Sequence, residues 1–169
     1  MIHDDHPFAP PPSQRDPARR FRGRLAAPVT ILTAGSGKDR TGLTVSSLVV
    51  VEGETPRLIS IISPATDLWD RMADTSTFVT HVCTTADRSL ADVFAGIRPS
   101  PGGPFADLEV GQTEWGPAIG RLPHRASCRV ETMRELGWTG VVEATIDLIE
   151  AGELVDPLVY FRGEYRGLG

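Results

Sequence analysis

The 169-residue chain is poor in cysteine: Cys83 and Cys128 stand far apart and no Cys-x-x-Cys occurs. The pair reads as two reduced, buried thiols rather than a disulfide framework. Histidine is scarce too. His3 and His6 belong to the N-terminal stretch, His81 and His124 are isolated, and no His-x-Glu or His-Glu-x-x-His spacing exists. No metal centre is therefore expected. No apolar run approaches the ~20 residues of a membrane helix. The acidic, proline-rich "MIHDDHPFAPPP" has no apolar secretory segment, so cytoplasmic residence without membrane association is the default expectation. A net charge of −5 argues against bulk nucleic-acid binding.

Nucleotide-binding signatures are also missing. "GSGK" (35–38) hints at a phosphate loop, but Leu32 and Asp39 occupy the positions where the Walker pattern needs Gly and Ser or Thr. No Gly-x-Gly-x-x-Gly is present, and "GSGKDR" is better read as a hairpin turn. No Gly-x-Ser-x-Gly elbow marks a hydrolase nucleophile. The carboxylates are scattered, with no pair set apart as an acid–base couple.

What remains is a chain of one-domain size, 40% apolar, with sixteen Arg and the single Lys38. Residues 1–20 hold five prolines and read as a mobile tail; residues 21–169 read as one folded domain. Arginines cluster at 15–24, "RDPARRFRGR". That cluster is either a solvated junction between tail and domain or a phosphate-contacting patch.

Period-2 runs dominate. "PVTILTA" (28–34), a glycine turn and "TGLTVSSLVV" (41–50) predict a β-hairpin. "PRLISIIS" (56–63) and "TFVTHVC" (77–83) predict two more strands. "PATDLWDRM" turns helical, with Leu68, Trp69 and Met72 on one face and Thr66 or Asp67 as cap. "TADRSLADVFAG" (85–96) predicts a second short helix with a stripe of Ala86, Leu90, Val93 and Phe94, and Gly96 at its C′ position. The Gly/Pro-rich stretch 97–117 reads as a functional loop or flap. "RASCRVETMREL" and "VVEATIDLIE" alternate as an antiparallel pair, with Val142, Ala144, Ile146 and Leu148 on one face. "DPLVYFRGEYRGL" reads as a closing strand. Six or seven strands and two short helices without a βαβ rhythm indicate a mainly β, antiparallel barrel or sandwich.

Within "GLTVSSLVVV", Ser46 and Ser47 interrupt residues suited to a buried strand. A buried hydroxyl needs a partner, and water, backbone and ligand are all open as answers.

The ordered set "PVTILTA", glycine turn, "GLTVSSL", "IISPATDLWD", "TFVTHV", "SLADVFAG" and "GEL…DPLVYFRGEYRGL" resembles the flavin reductase-like, FMN-binding split-barrel family over about 28–168. The resemblance implies an antiparallel Greek-key split β-barrel with short flanking helices, a homodimer, and reduction of FMN or FAD by NADH or NADPH. Many members supply reduced flavin to a partner monooxygenase. It implies flavin contacts at Thr44, Val45, Ser46 and Ser47. It adds Ser63, Ala65 and Thr66 at a helix start suited to phosphate, and Phe94, Ala95 and Gly96, with Arg98 placed to pair with phosphate. Each has a plainer reading: barrel backbone bonding for the serines, a helix cap for Thr66, core for Phe94, a free surface arginine for Arg98. Trp69 and Trp138 read as core or dimer contacts.

The chain departs from the resemblance at "GWTG" (137–140), where many members carry Gly-Asp-His near the nicotinamide site. The family's usual Asn in the fourth strand is His81 here. These departures bear on the reductant. They leave room for a flavin carrier or holder without nicotinamide turnover, and for a deazaflavin-dependent oxidoreductase.

Overall fold

The computed structural model describes residues 16–168. Most of the expected tail, 1–15, lies outside the described residues. Its last part enters a short helix α1 (Pro17–Arg22), with the Asp16 carboxylate accepting the Ala18 N–H and no residue buried. The strands are β1 (Ala27–Pro28), β2 (Thr30–Ala34), β3 (Thr41–Val45), β4 (Leu48–Val51), β5 (Arg57–Ile62), β6 (Thr77–Val82), β7 (Val110–Gln112), β8 (Pro117–Ile119), β9 (Arg125–Leu136), β10 (Thr139–Glu150), β11 (Val159–Phe161) and β12 (Glu164–Arg166). Helices α2 (Asp67–Thr75) and α3 (Arg88–Phe94) flank them.

Seven strands form one antiparallel sheet in the order β3-β2-β6-β9-β10-β5-β4. Its two edge strands, β3 and β4, are consecutive in the chain and joined only by Ser46 and Ser47. A flat sheet of this width would hold its edges roughly 29 Å apart. The step from Val45 to Leu48 spans at most about 11 Å. The sheet therefore curls until its edges meet at the two serines. The mainly β, antiparallel expectation is borne out, as a curled half-barrel.

The curl creates two cores on the two faces of the sheet. Inside lie Leu32, Val45, Leu58, Phe78, Cys128, Val142 and Ile146, closed by Leu68 and Met72 of α2. Outside lie Val29, Ile31, Leu90, Ala91 and Phe94 with Phe105, Ile119 and Leu158. Strand β2 serves both because its side chains alternate: Leu32 and Ala34 face inward, Ile31 outward.

Helix α2 starts where its local signals place it, with Thr66 as cap and Leu68 and Met72 buried. The second predicted helix divides into a 3-10 turn (Thr85–Asp87) and α3, and Ala91 rather than the exposed Ala86 completes its buried stripe. The alternation expected along β10 holds through Ile146 and fails at Leu148. A register shift between Ile146 and Leu148 leaves that side chain 45% exposed. The last segment does not close the main sheet. It folds back as the β11–β12 hairpin and pairs with β1 in a separate three-stranded sheet. The 97–117 stretch contains β7, which pairs with β8, and anchors itself through buried Phe105.

Candidate functional site

The two serines are not interior strand residues. Strand β3 ends at Val45 and β4 begins at Leu48; Ser46 is half-buried and Ser47 exposed. Their backbone is held on both sides. Val45 O accepts the Thr30 hydroxyl at 2.6 Å, while Ser47 O accepts the Ile61 N–H at 2.8 Å and the Ser60 hydroxyl at 3.3 Å. Neither the Ser46 nor the Ser47 hydroxyl makes a hydrogen bond among the described residues, so both can meet a ligand or water. The strand after them does not face the barrel interior. Only Leu48 packs toward the core, and Val49, Val50 and Val51 are exposed along the sheet edge.

Thr44 and Val45 are structural in this fold. The Thr44 hydroxyl donates to Ala91 O at 2.7 Å and ties α3 to β3, and Val45 belongs to the inner core. At the start of α2, the Thr66 hydroxyl donates to Ser63 O at 2.8 Å and accepts the Trp69 N–H at 3.3 Å. The Ala65 N–H is bonded to the Ser63 hydroxyl. Asp67 and Asp70 stand in the first turn. Several amides here are already satisfied locally, and two carboxylates oppose an anion.

The described residues line an open cavity of about 580 Å³ where the β2–β3 turn, β3, α2 and the end of α3 converge. Phe94, Ala95 and Gly96 line it. Thr44–Ser47, Ser63–Thr66 and the exposed Arg98 do not. Its apolar wall is Leu43, Val93, Phe94 and Pro104. Phe94 meets Phe105 edge-on, centroids 5.0 Å apart, and the Arg40 guanidinium lies 4.8 Å over the Phe105 ring. Gly96 ends the helix at φ 71°, the left-handed conformation expected of a C′ glycine.

The rim carries residues that sequence reasoning missed: Lys38, Arg40 and Arg71, interspersed with Asp39, Asp67 and Asp70. "GSGKDR" is indeed a turn, with a 3-10 segment at Gly37–Asp39. It also delivers two cations to the cavity. Arg71 comes from α2, its stem beside Gly35, where an added Cβ would meet it at 3.0 Å. Its Nε is buried without a hydrogen-bond partner among the described residues. An apolar wall and an unpartnered guanidinium nitrogen suit a planar ring carrying a phosphate held at Arg71, on a rim whose three cations and three carboxylates otherwise balance.

Elsewhere, His81 is buried. Its Nδ1 lies 3.0 Å from Ile31 O, and its Nε2 accepts the Ile119 N–H at 3.1 Å. Burial lowers its pKa to about 4, with Arg125 adding a smaller push and the Ile31 contact opposing. Cys83 and Cys128 are raised to about 12, chiefly by burial, so neither is a nucleophile at neutral pH. No cluster of metal-ligating side chains occurs among the described residues. At "GWTG", Gly137 adopts φ 61° in the β9–β10 turn and Trp138 is 97% exposed, which overturns a core role for Trp138. Trp69 does pack on the core, its ring beside Gly140.

The profile of the flavin reductase-like domain matches residues 22–169. The chain belongs to this family. It is 27% identical over 145 residues to the reductase component of 4-hydroxyphenylacetate 3-monooxygenase from Thermus thermophilus, covering 86% of this chain and 91% of that protein. It is 24% identical over 158 residues to the FMN reductase (NADH) RutF of Stutzerimonas stutzeri, covering 93% and 90%. Among solved structures, the flavin reductase PheA2 superposes with a TM-score of 0.80 at 22% identity, covering 92% of this chain and 99% of that one. The NADH:FAD oxidoreductase SgcE6 of Streptomyces globisporus does so at 0.81 and 20%, covering 95% and 99%.

Proposed function

We propose that this chain is a flavin reductase that binds FMN or FAD and takes hydride from NADH or NADPH. The carrying observation is the cavity at β3, α2 and α3, whose apolar wall fits an isoalloxazine ring and whose Lys38, Arg40 and Arg71 fit the phosphate of its ribityl chain. Bound flavin supplies the redox chemistry, accepting hydride from the reduced nicotinamide. The protein's part is positioning. Phe94 and Leu43 exclude water from one side, the rim cations hold the phosphate, and the free Ser46 and Ser47 hydroxyls serve polar ring or chain atoms at the mouth of the curl. His81 has no part in proton movement, because both ring nitrogens are engaged with backbone.

This reading carries the family's wider arrangement with it. The curled sheet is the split barrel, two copies form a homodimer, and reduced flavin passes to a monooxygenase component in the cytoplasm. The exposed Val49–Val51 edge supports association of copies.

Trp138 favours a second reading, a flavin carrier without nicotinamide turnover. The β9–β10 turn presents a bare indole where the family resemblance led one to expect an acid and a histidine. Titration of the purified protein with FMN and FAD, followed by NADH and NADPH oxidation in flavin's presence, separates the two. Flavin binding with turnover supports the reductase, binding without turnover supports the carrier, and absence of both overturns each.

A further inference from the structure

A second concave site lies away from the flavin cavity and shares no residue with it. Arg19, Arg20, Gly23 and Arg24, from α1 and the segment after it, meet Arg162 from the β11–β12 turn around a depression of about 430 Å³. The arginines are about 140 positions apart in sequence. They converge because β1, which follows α1, pairs with β11: Ala27 faces Tyr160 and Pro28 faces Val159.

Four arginines line this one depression, and their like charges repel one another. Among the described residues none of the four is in an ion pair. Asp16 caps α1, and Glu164 pairs with Arg166 at 2.9 Å. Arg162 sits at φ 52°, a conformation that disfavours an ordinary side chain, and its guanidinium lies 5.2 Å over the Phe161 ring. The chain as a whole is acidic, so this concentration of positive charge is local. The depression falls within the ~300–1,000 Å³ range of small-ligand sites. Guanidinium forks match phosphate oxygens in pairs, which a single ammonium does not.

We propose that Arg19, Arg20, Arg24 and Arg162 form a binding site for a small diphosphate anion, either free pyrophosphate or the diphosphate of a nucleotide. The arginine run at 15–24, which in sequence reads first as a solvated junction, supplies three of these side chains, and the fold adds Arg162 and the concavity.

The test is calorimetric titration of the full-length protein with inorganic pyrophosphate, with ADP and with a 20-residue polyglutamate, in low and moderate salt. Pyrophosphate should bind with a Kd below about 1 mM at low salt and weaken as salt rises. ADP binding tighter than pyrophosphate assigns the site to a nucleotide; equal binding assigns it to the free anion. Arg162→Asn removes the charge while keeping a residue that tolerates positive φ. Arg20→Gln with Arg24→Gln changes only exposed side chains. Each variant should lose about tenfold or more in pyrophosphate affinity with flavin affinity unchanged. Three results overturn the proposal: no pyrophosphate or ADP binding at low salt, unchanged pyrophosphate affinity in both variants, or binding of polyglutamate alone, which marks a protein-docking face instead.

Discussion

The Phe94 ring lies directly against Gly42: a Cβ placed at position 42 would come within 2.6 Å of the ring's Cε1 and 2.8 Å of its Cδ1. This contact seats α3 on β3 beside the cavity, and the Thr44–Ala91 bond secures it one pair of residues further along. Gly42→Ala should therefore destabilise the domain by about 1–3 kcal/mol through overpacking and weaken flavin binding by displacing the cavity wall. Adding Phe94→Leu should recover part of the stability, because the smaller side chain makes room. Denaturant unfolding of the two single variants and the double variant reads the coupling. Strict additivity would mean that the ring and the glycine do not constrain each other.

His81 links stability to pH. Its folded pKa, about 4, lies below the ordinary value of 6.5, mainly because burial penalises the imidazolium. The unfolded chain then binds more protons between those values. The associated stability is fully present above pH 6.5 and is lost as pH falls toward 4, by up to about 3 kcal/mol. Protonation at Nε2 would also remove the acceptor for the Ile119 N–H. Urea unfolding at pH 7 and pH 5 should show the drop. His81→Asn should lower stability at pH 7 and flatten this part of the pH dependence. An unchanged slope would place the titration elsewhere.

These contacts mark where sequence ceases to be a guide. Helix α2 is legible because its signals are local: Thr66 caps, and Leu68 and Met72 sit four apart on one face. The β2–β3 hairpin is legible for the same reason. The break at Ser46–Ser47 is not, because a two-residue link between opposite sheet edges has the composition of a continuous strand. Only long-range pairing of β3 with β2 and β4 with β5 separates the halves. The β11–β12 hairpin likewise reads as a closing strand until its pairing with β1 is known. Lys38 and Arg40 sit in a turn that is readable as a turn. Their convergence with Arg71 depends on how the curl carries α2 beside that turn, which no spacing encodes.

Ser46 provides a test of the lip. Its hydroxyl has no hydrogen-bond partner among the described residues, and its side chain is only half-buried. Ser46→Val should leave the unfolding midpoint nearly unchanged. If the hydroxyl serves flavin, affinity should fall about tenfold, the scale of one hydrogen bond near 1.4 kcal/mol. A large stability loss with unaltered flavin affinity would assign the residue to the barrel instead.

The cations of the rim should discriminate phosphorylated flavin from its phosphate-free form. Lys38 and Arg71 approach the cavity from different elements, and the Arg71 Nε is buried without a partner among the described residues. The exposed Arg71–Asp74 pair, at 3.4 Å, contributes little that would confuse the comparison. Lys38→Gln and Arg71→Gln should each weaken FMN binding by about tenfold and leave riboflavin affinity nearly unchanged, since riboflavin offers no dianion. The FMN preference should also shrink with added salt in the parent protein and change less in the double variant. Parallel fluorescence-quenching titrations with FMN and riboflavin measure this directly. Equal losses for the two flavins would show that these side chains shape the wall and do not hold the phosphate. Asp67, Asp70 and Asp39 on the same rim set a limit on the effect. Asp70→Asn should tighten FMN selectively, because removing a carboxylate lowers the repulsion felt by the phosphate without altering the apolar face that holds the ring.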